Sequence, residues 1–168
     1  MNTYARTSPQ HLAVLSLCRA ANALDRAASE PNTWFFIIVD LHRALYAALV
    51  AALSGSASIG AYRDKTQAEW FKFLEASRDD PGTRAPTKYD VANLQELLTR
   101  AEKGTPYMLG QPLQLSSHQR EDNLELCGHR HDVEHAKPQE WLIEVSGLPR
   151  IGANVAVAQL GQSLRSAF

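Results

Sequence analysis

Cysteine is nearly absent, net charge is close to nil, and only one apolar run is long enough to matter to a membrane. The 168 residues include two cysteines, Cys18 and Cys127, far apart in the chain. That number excludes a disulfide framework, so stability must come from a buried core. Seventeen basic against eighteen acidic residues leave a formal charge of −1, which excludes a global basic field. A polyanionic ligand would need a local patch. No amino-terminal stretch joins a basic start to an apolar segment and a cleavage site, so a cytoplasmic, reduced protein is expected. Internal repeats and low-complexity tracts are also missing. With 45% apolar and 21% charged residues, the length fits a single domain, 1–168, with a sizeable core.

What is present is helical periodicity. Ser8 before Pro9 predicts a capped helix start, and Leu12, Leu15, Ala20, Ala23, Leu24 and Ala27 form an apolar stripe along a helix from Pro9 to Glu30. Pro31 restarts the chain, Asn32 or Thr33 can cap a second helix from Trp34 to Leu53, and Ser54-Gly55 ends it. A short amphipathic helix is predicted over Thr66 to Ser77, with Trp70, Phe71, Phe73 and Leu74 as core residues, and a loop over Arg78 to Thr87. Lys88 to Lys103 reads as a helix, Gly104 to Leu115 as an irregular crossing. Ser116 or Ser117 caps a further helix to about His135, stopped by Lys137-Pro138. Glu140 to Arg150 reads as an extended arm, and Pro149, or the residue beside it, opens a last helix with Val155, Val157, Leu160 and Leu164. The predicted class is all-α, an antiparallel bundle of four or five main helices.

The second helix is apolar nearly all round and long enough to span a bilayer. Asp40, His42 and Arg43 interrupt its middle, and charges there would cost roughly 2.5 to 3.5 kcal/mol each on insertion. Burial within protein is therefore expected, with one side on the core, the other on an oligomer, and no membrane partner. Those three polar residues must be paired or face a cleft.

The densest chemistry lies in Cys127-Gly-His-Arg-His-Asp-Val-Glu-His135. Cutting RNA without a metal or cofactor needs a group that moves protons at the ribose 2′-hydroxyl and the leaving 5′-oxygen, and a cation for the phosphorane-like transition state. Histidine serves the first need and arginine the second. Arg130 and His135 supply both. On a helix, five residues correspond to about 140° of rotation and roughly 7.5 Å of rise, so the two do not share a face, whereas His131 and His135 do. Gly128, a poor helix former, would allow a local distortion. Two copies about a twofold axis could interleave one chain's Arg130 with the other's His135, so a homodimer is expected. His42 could act as a second proton carrier and Asp40 as an orienting partner, with Arg43 beside them.

Other readings fit the same run. Arg130 with Glu134 and His131 with His135 are i, i+4 pairs suited to a solvated face. Cys127, His129, His131 and His135 carry metal donors, although Glu134 directly before the second histidine is not a zinc-protease arrangement. A non-catalytic helical module binding a nucleotide, an RNA or a partner protein is the third alternative.

Arg130-His131-Asp132-Val133-Glu134-His135 resembles the signature of the helical HEPN domains: an arginine, a polar neighbour, and a histidine four to six residues after the arginine. The flanking His135-Ala-Lys-Pro-Gln-Glu-Trp141 and Gly147-Leu-Pro-Arg-Ile151 look like an uncharacterised bacterial branch of that family. The resemblance covers about Pro31 to the carboxyl terminus. It implies a dimeric helical bundle with the motifs meeting at the interface. In many members it implies metal-independent endoribonuclease activity, in toxins or phage defence, sometimes beside an antitoxin. Carried over, Arg130 would hold the scissile phosphate, His135 would carry the proton, and His131 would fill the polar position, where many active members have asparagine or aspartate. Asp132 and Glu134 would repel phosphate unless turned away.

Overall fold

The computed structural model describes residues 6–55, 58–106, 108, 111–135 and 142–163, with backbone alone from 157 to 163. Among the described residues six helices follow one another: α1 (Pro9–Ala27), α2 (Thr33–Ser54), α3 (Asp64–Asp79), α4 (Leu94–Lys103), α5 (Ser117–Glu134) and α6 (Leu148–Ser163). Among the described residues there is no strand, only an isolated antiparallel bridge between Tyr62 and Val91. The chain is all-α.

Local signals set most of the helix ends. The Ser8 hydroxyl accepts from the His11 N–H at 3.1 Å, and the Ser116 hydroxyl accepts from the Gln119 N–H while the Gln119 side chain accepts from the Ser116 N–H, closing a capping box on α5. Gly55, at φ 61°, takes the left-handed backbone that ends α2. The start of α4 differs from the sequence expectation. It begins at Leu94 rather than Lys88, capped by Asn93, whose side chain accepts from the Glu96 N–H at 2.9 Å. The residues before it are held instead by Tyr62: the Arg63 N–H donates to Asp90 O, and the Ala92 N–H to Ala61 O.

α2 is the central element, packed against α1, α4, α5 and α6. It buries Ile37, Ile38, Leu41, Leu45, Leu49 and Leu53 against Leu97 and Leu98 of α4, Leu126 of α5, and Ile151 and Val155 of α6. Each such side chain contributes about 1.5 to 3 kcal/mol when fully buried. α2 is the one helix among the described residues that is long and apolar enough for a bilayer, and more than half of its most apolar window is buried inside the bundle.

Two packing expectations are corrected. α1 meets α2 through Ala13, Ser16, Ala20, Ala23 and Ala27, while Leu15 and Leu24 are exposed; small side chains let the two backbones approach, which bulkier leucines would prevent. In α3 only Thr66 is buried. Trp70, Phe71, Phe73 and Leu74 are half-exposed, and Trp70 packs on Phe73 and Tyr89 and donates to Lys88 O. The aromatics therefore clasp the loop after α3 rather than fill the main core. α6 starts at Leu148, so the expected arm is cut short; Leu142 is fully exposed. Lys137, Pro138 and Trp141 lie outside the described residues, as do the side chains of Val157, Leu160 and Leu164.

Candidate functional site

The carboxyl-terminal half of α5 carries the arginine-histidine motif, and the helix stays regular through Gly128 to Glu134. Its rotation therefore sends the motif residues in different directions. Arg130 turns inward and forms an ion pair with Glu134, both about one-third exposed. Its Nε is buried without a hydrogen-bond partner among the described residues. His131 and His135 are exposed, with ring centroids 4.5 Å apart. His135 is the C-cap, its N–H donating to His131 O. Among the described residues no hydrogen bond or ion pair joins Arg130 to His135 within the subunit.

Arg130 opens onto a cleft of about 420 Å³ between α2, the start of α4 and the end of α5, lined by His42, Arg43, Tyr46, Asn93, Arg130 and Glu134. His42 is held unprotonated. Burial, with Arg130 and Arg43 adding to it and Glu134 opposing, lowers its pKa to about 4. The Tyr46 hydroxyl donates to Ala92 O at 3.1 Å, and its ring lies nearly parallel to that of His42, with centroids 6.3 Å apart. Burial raises the Tyr46 pKa. With two arginines, one carboxylate and a neutral imidazole, the cleft is net cationic.

Asp40 does not reach this cleft. It is buried toward α1, with Arg19 Nε at 3.2 Å and Arg43 Nη1 at 3.2 Å. Arg43 thus links the closed Asp40 cluster to the open cleft. The metal-donor residues also diverge. Cys127 donates to Asn123 O at 3.2 Å, and burial pushes its thiol up to about 11. His129 lies 3.5 Å from Glu125. Among the described residues no three side chains of metal-binding type converge.

A larger cleft of about 720 Å³ lies nearby, lined by Arg63, Asp64, Asn93, Glu96 and Arg100. One of its two arginines is already committed. Arg100 donates to Gly60 O, Tyr62 O and Asp64, which pins the α3 approach to α4. Of the six residues singled out from sequence, the smaller cleft gathers Arg130, His42 and Arg43. Tyr46 and Asn93 were missed. The i, i+4 spacing from His42 could have found Tyr46, and the Asn-x-x-Glu pattern at 93–96 could have placed Asn93 at a helix start.

Compared with known protein families, characterised proteins and solved structures, the chain has no significant match.

Proposed function

We propose that the chain is a HEPN-like protein that cuts RNA without a metal, through a composite site formed when two copies meet at the ends of α5. The observation that carries this reading is the division of labour on one helix end: Arg130 faces a cationic cleft, while His131 and His135 stand exposed within the next turn and a half. A second subunit can reach those imidazoles, which a single subunit cannot bring to its own Arg130. In the reaction His135 takes the 2′-hydroxyl proton as the 2′-oxygen bonds to phosphorus. The bond from phosphorus to the 5′-oxygen breaks, and that oxygen gains a proton from the partner's imidazole. The products are a 2′,3′-cyclic phosphate and a 5′-hydroxyl. Arg130 stabilises the pentacoordinate state. The biological setting consistent with this chemistry is a toxin or phage-defence protein with an antitoxin partner.

Purified protein incubated with mixed RNA in EDTA should yield cyclic-phosphate ends. His135→Ala should lower the rate by about 10²- to 10⁴-fold, the usual worth of a proton carrier, with helical content and dimer unchanged. Cutting by that variant at the original rate refutes the assignment.

The ion pair between Arg130 and Glu134 favours a second reading. An arginine already occupied by a carboxylate suits a non-catalytic module that binds a nucleotide or RNA phosphate. EDTA-resistant binding without any cleavage product would select it.

A further inference from the structure

We propose that the cleft between α2, the first turn of α4 and the end of α5 binds one phosphate group within a single subunit, and that Glu134 is a built-in competitor which the phosphate displaces from Arg130. The inference deepens the binding role given to Arg130 above and rests on it, but it requires neither a second subunit nor a cut bond.

Four features converge. Arg130 and Arg43 reach the cleft from different helices; Arg130 is held there by the Glu134 carboxylate, while Arg43 pairs with Asp40 outside the cleft. Carboxylate and phosphate oxygens satisfy a guanidinium in the same way, so the Glu134 carboxylate on Arg130 marks where an anion sits. The buried, unpartnered Arg130 Nε has a donor left for a ligand with more acceptor oxygens than one carboxylate. A neutral His42 beside them can donate one ring N–H without adding repulsion between cations. The first turn of α4 also borders the cleft. Glu96 and Leu97 donate to Asn93, and among the described residues the N–H of Leu94, which lines the cleft, has no acceptor. At about 420 Å³ the space falls in the range of small-ligand sites, roughly 300 to 1,000 Å³, larger than phosphate alone requires. The same chemistry serves a free mononucleotide, a terminal phosphate of RNA or an internal phosphodiester.

The experiment follows the His42 imidazole by NMR in full-length protein during titration with three probes: inorganic phosphate, a nucleoside 5′-monophosphate, and a short oligoribonucleotide without terminal phosphates. Saturable His42 shifts are expected. Arg130→Ala should weaken binding about tenfold or more, and Glu134→Gln should tighten it severalfold because the competitor is gone. Tightest binding of the monophosphate identifies a terminal or free phosphate as the ligand; tightest binding of the oligoribonucleotide identifies an internal one. His135→Ala should bind all three as the wild type does, so loss of cleavage and loss of phosphate binding are read separately. No saturable shift with any probe overturns the proposal, as does a folded Glu134→Gln protein that binds no tighter than wild type.

Discussion

The two halves of α5 treat charge in opposite ways. In the amino-terminal half, Asp122 is 1% exposed and both its oxygens are taken: Arg150 Nη1 donates at 2.5 Å, and the Asn154 amide donates to the other. Beside it Asn123 is wholly buried and bonds back to Gln119 O. The Asp122 contacts lock α5 to α6. In the carboxyl-terminal half Arg130 pairs with Glu134, and His129 lies against Glu125, along the same helix, with Arg130 and Glu134 bordering open space. A cluster closed between two helices is architecture, whereas one paired within a single turn beside a cleft can exchange its partner for a ligand. Arg150 is as cationic as Arg130, and what separates them is whether the carboxylate they meet is buried.

The largest effect that tests this contrast is on stability. Asp122→Ala removes the acceptor of two interhelical bonds and leaves the Asn154 amide without its partner, and should cost about 2 to 3 kcal/mol, the range for bonds to a buried charge. Urea denaturation followed by circular dichroism measures it. A midpoint equal to wild type would erase the distinction between the two halves.

A smaller effect concerns the cleft and acid. His42 has its pKa lowered to about 4 in the folded chain, against an ordinary 6.5. As pH falls through 6.5 the unfolded chain takes up a proton before the folded one does, so stability is lost between about pH 6.5 and 4 and is fully present above that window. Burial sets the sign, and the charged groups facing the ring modulate it. Arg43 from α2 and Arg130 from α5 disfavour protonation, and Glu134 from α5 favours it. After allowance for the part of the ring that water reaches, the loss should be on the order of 1 to 2 kcal/mol. His42→Gln should lose less stability than wild type between pH 7.5 and 4.5, and equal losses would mean that the imidazole is not held neutral.

Signals confined to a few neighbouring residues were legible in the chain, and those created by packing were not. Ser8, Gly55 and the Ser116 box act within one turn, and each ends or starts its helix as read. The α4 start was misplaced because Val91 is held by Tyr62, about thirty residues earlier. Of the α1 stripe, Ala20, Ala23 and Ala27 are buried as read, whereas Leu15 and Leu24 are exposed because close packing on α2 selects small side chains. Arg130, His42 and Arg43 could each be named from sequence, but their meeting depends on how α5 is rotated against α2. Asp122 gave no sign at all, since an aspartate in a polar stretch becomes a buried acceptor only once α6 supplies Arg150 and Asn154.

The smallest effect probes the joint between the two halves, Gly128. Its place on α5 would let the helix bend so that Arg130 and His135 approach one face, yet the helix continues through it without a break, and a Cβ added there meets nothing within 4 Å. Gly128→Ala should therefore stabilise the chain by roughly 0.5 to 1 kcal/mol, since alanine fits the helix and gives up less backbone freedom on folding. The same variant separates two ways of building the site. If the subunits interlock around a straight α5, RNA cleavage keeps its wild-type rate while the melting temperature rises. If catalysis needs the bend, the rate falls as stability grows, and Arg130 and His135 would then act within one chain rather than across two. No gain in stability would mean that α5 is already bent at Gly128 in solution, and the contrast between a rigid first half and an adaptable second half would begin at that residue.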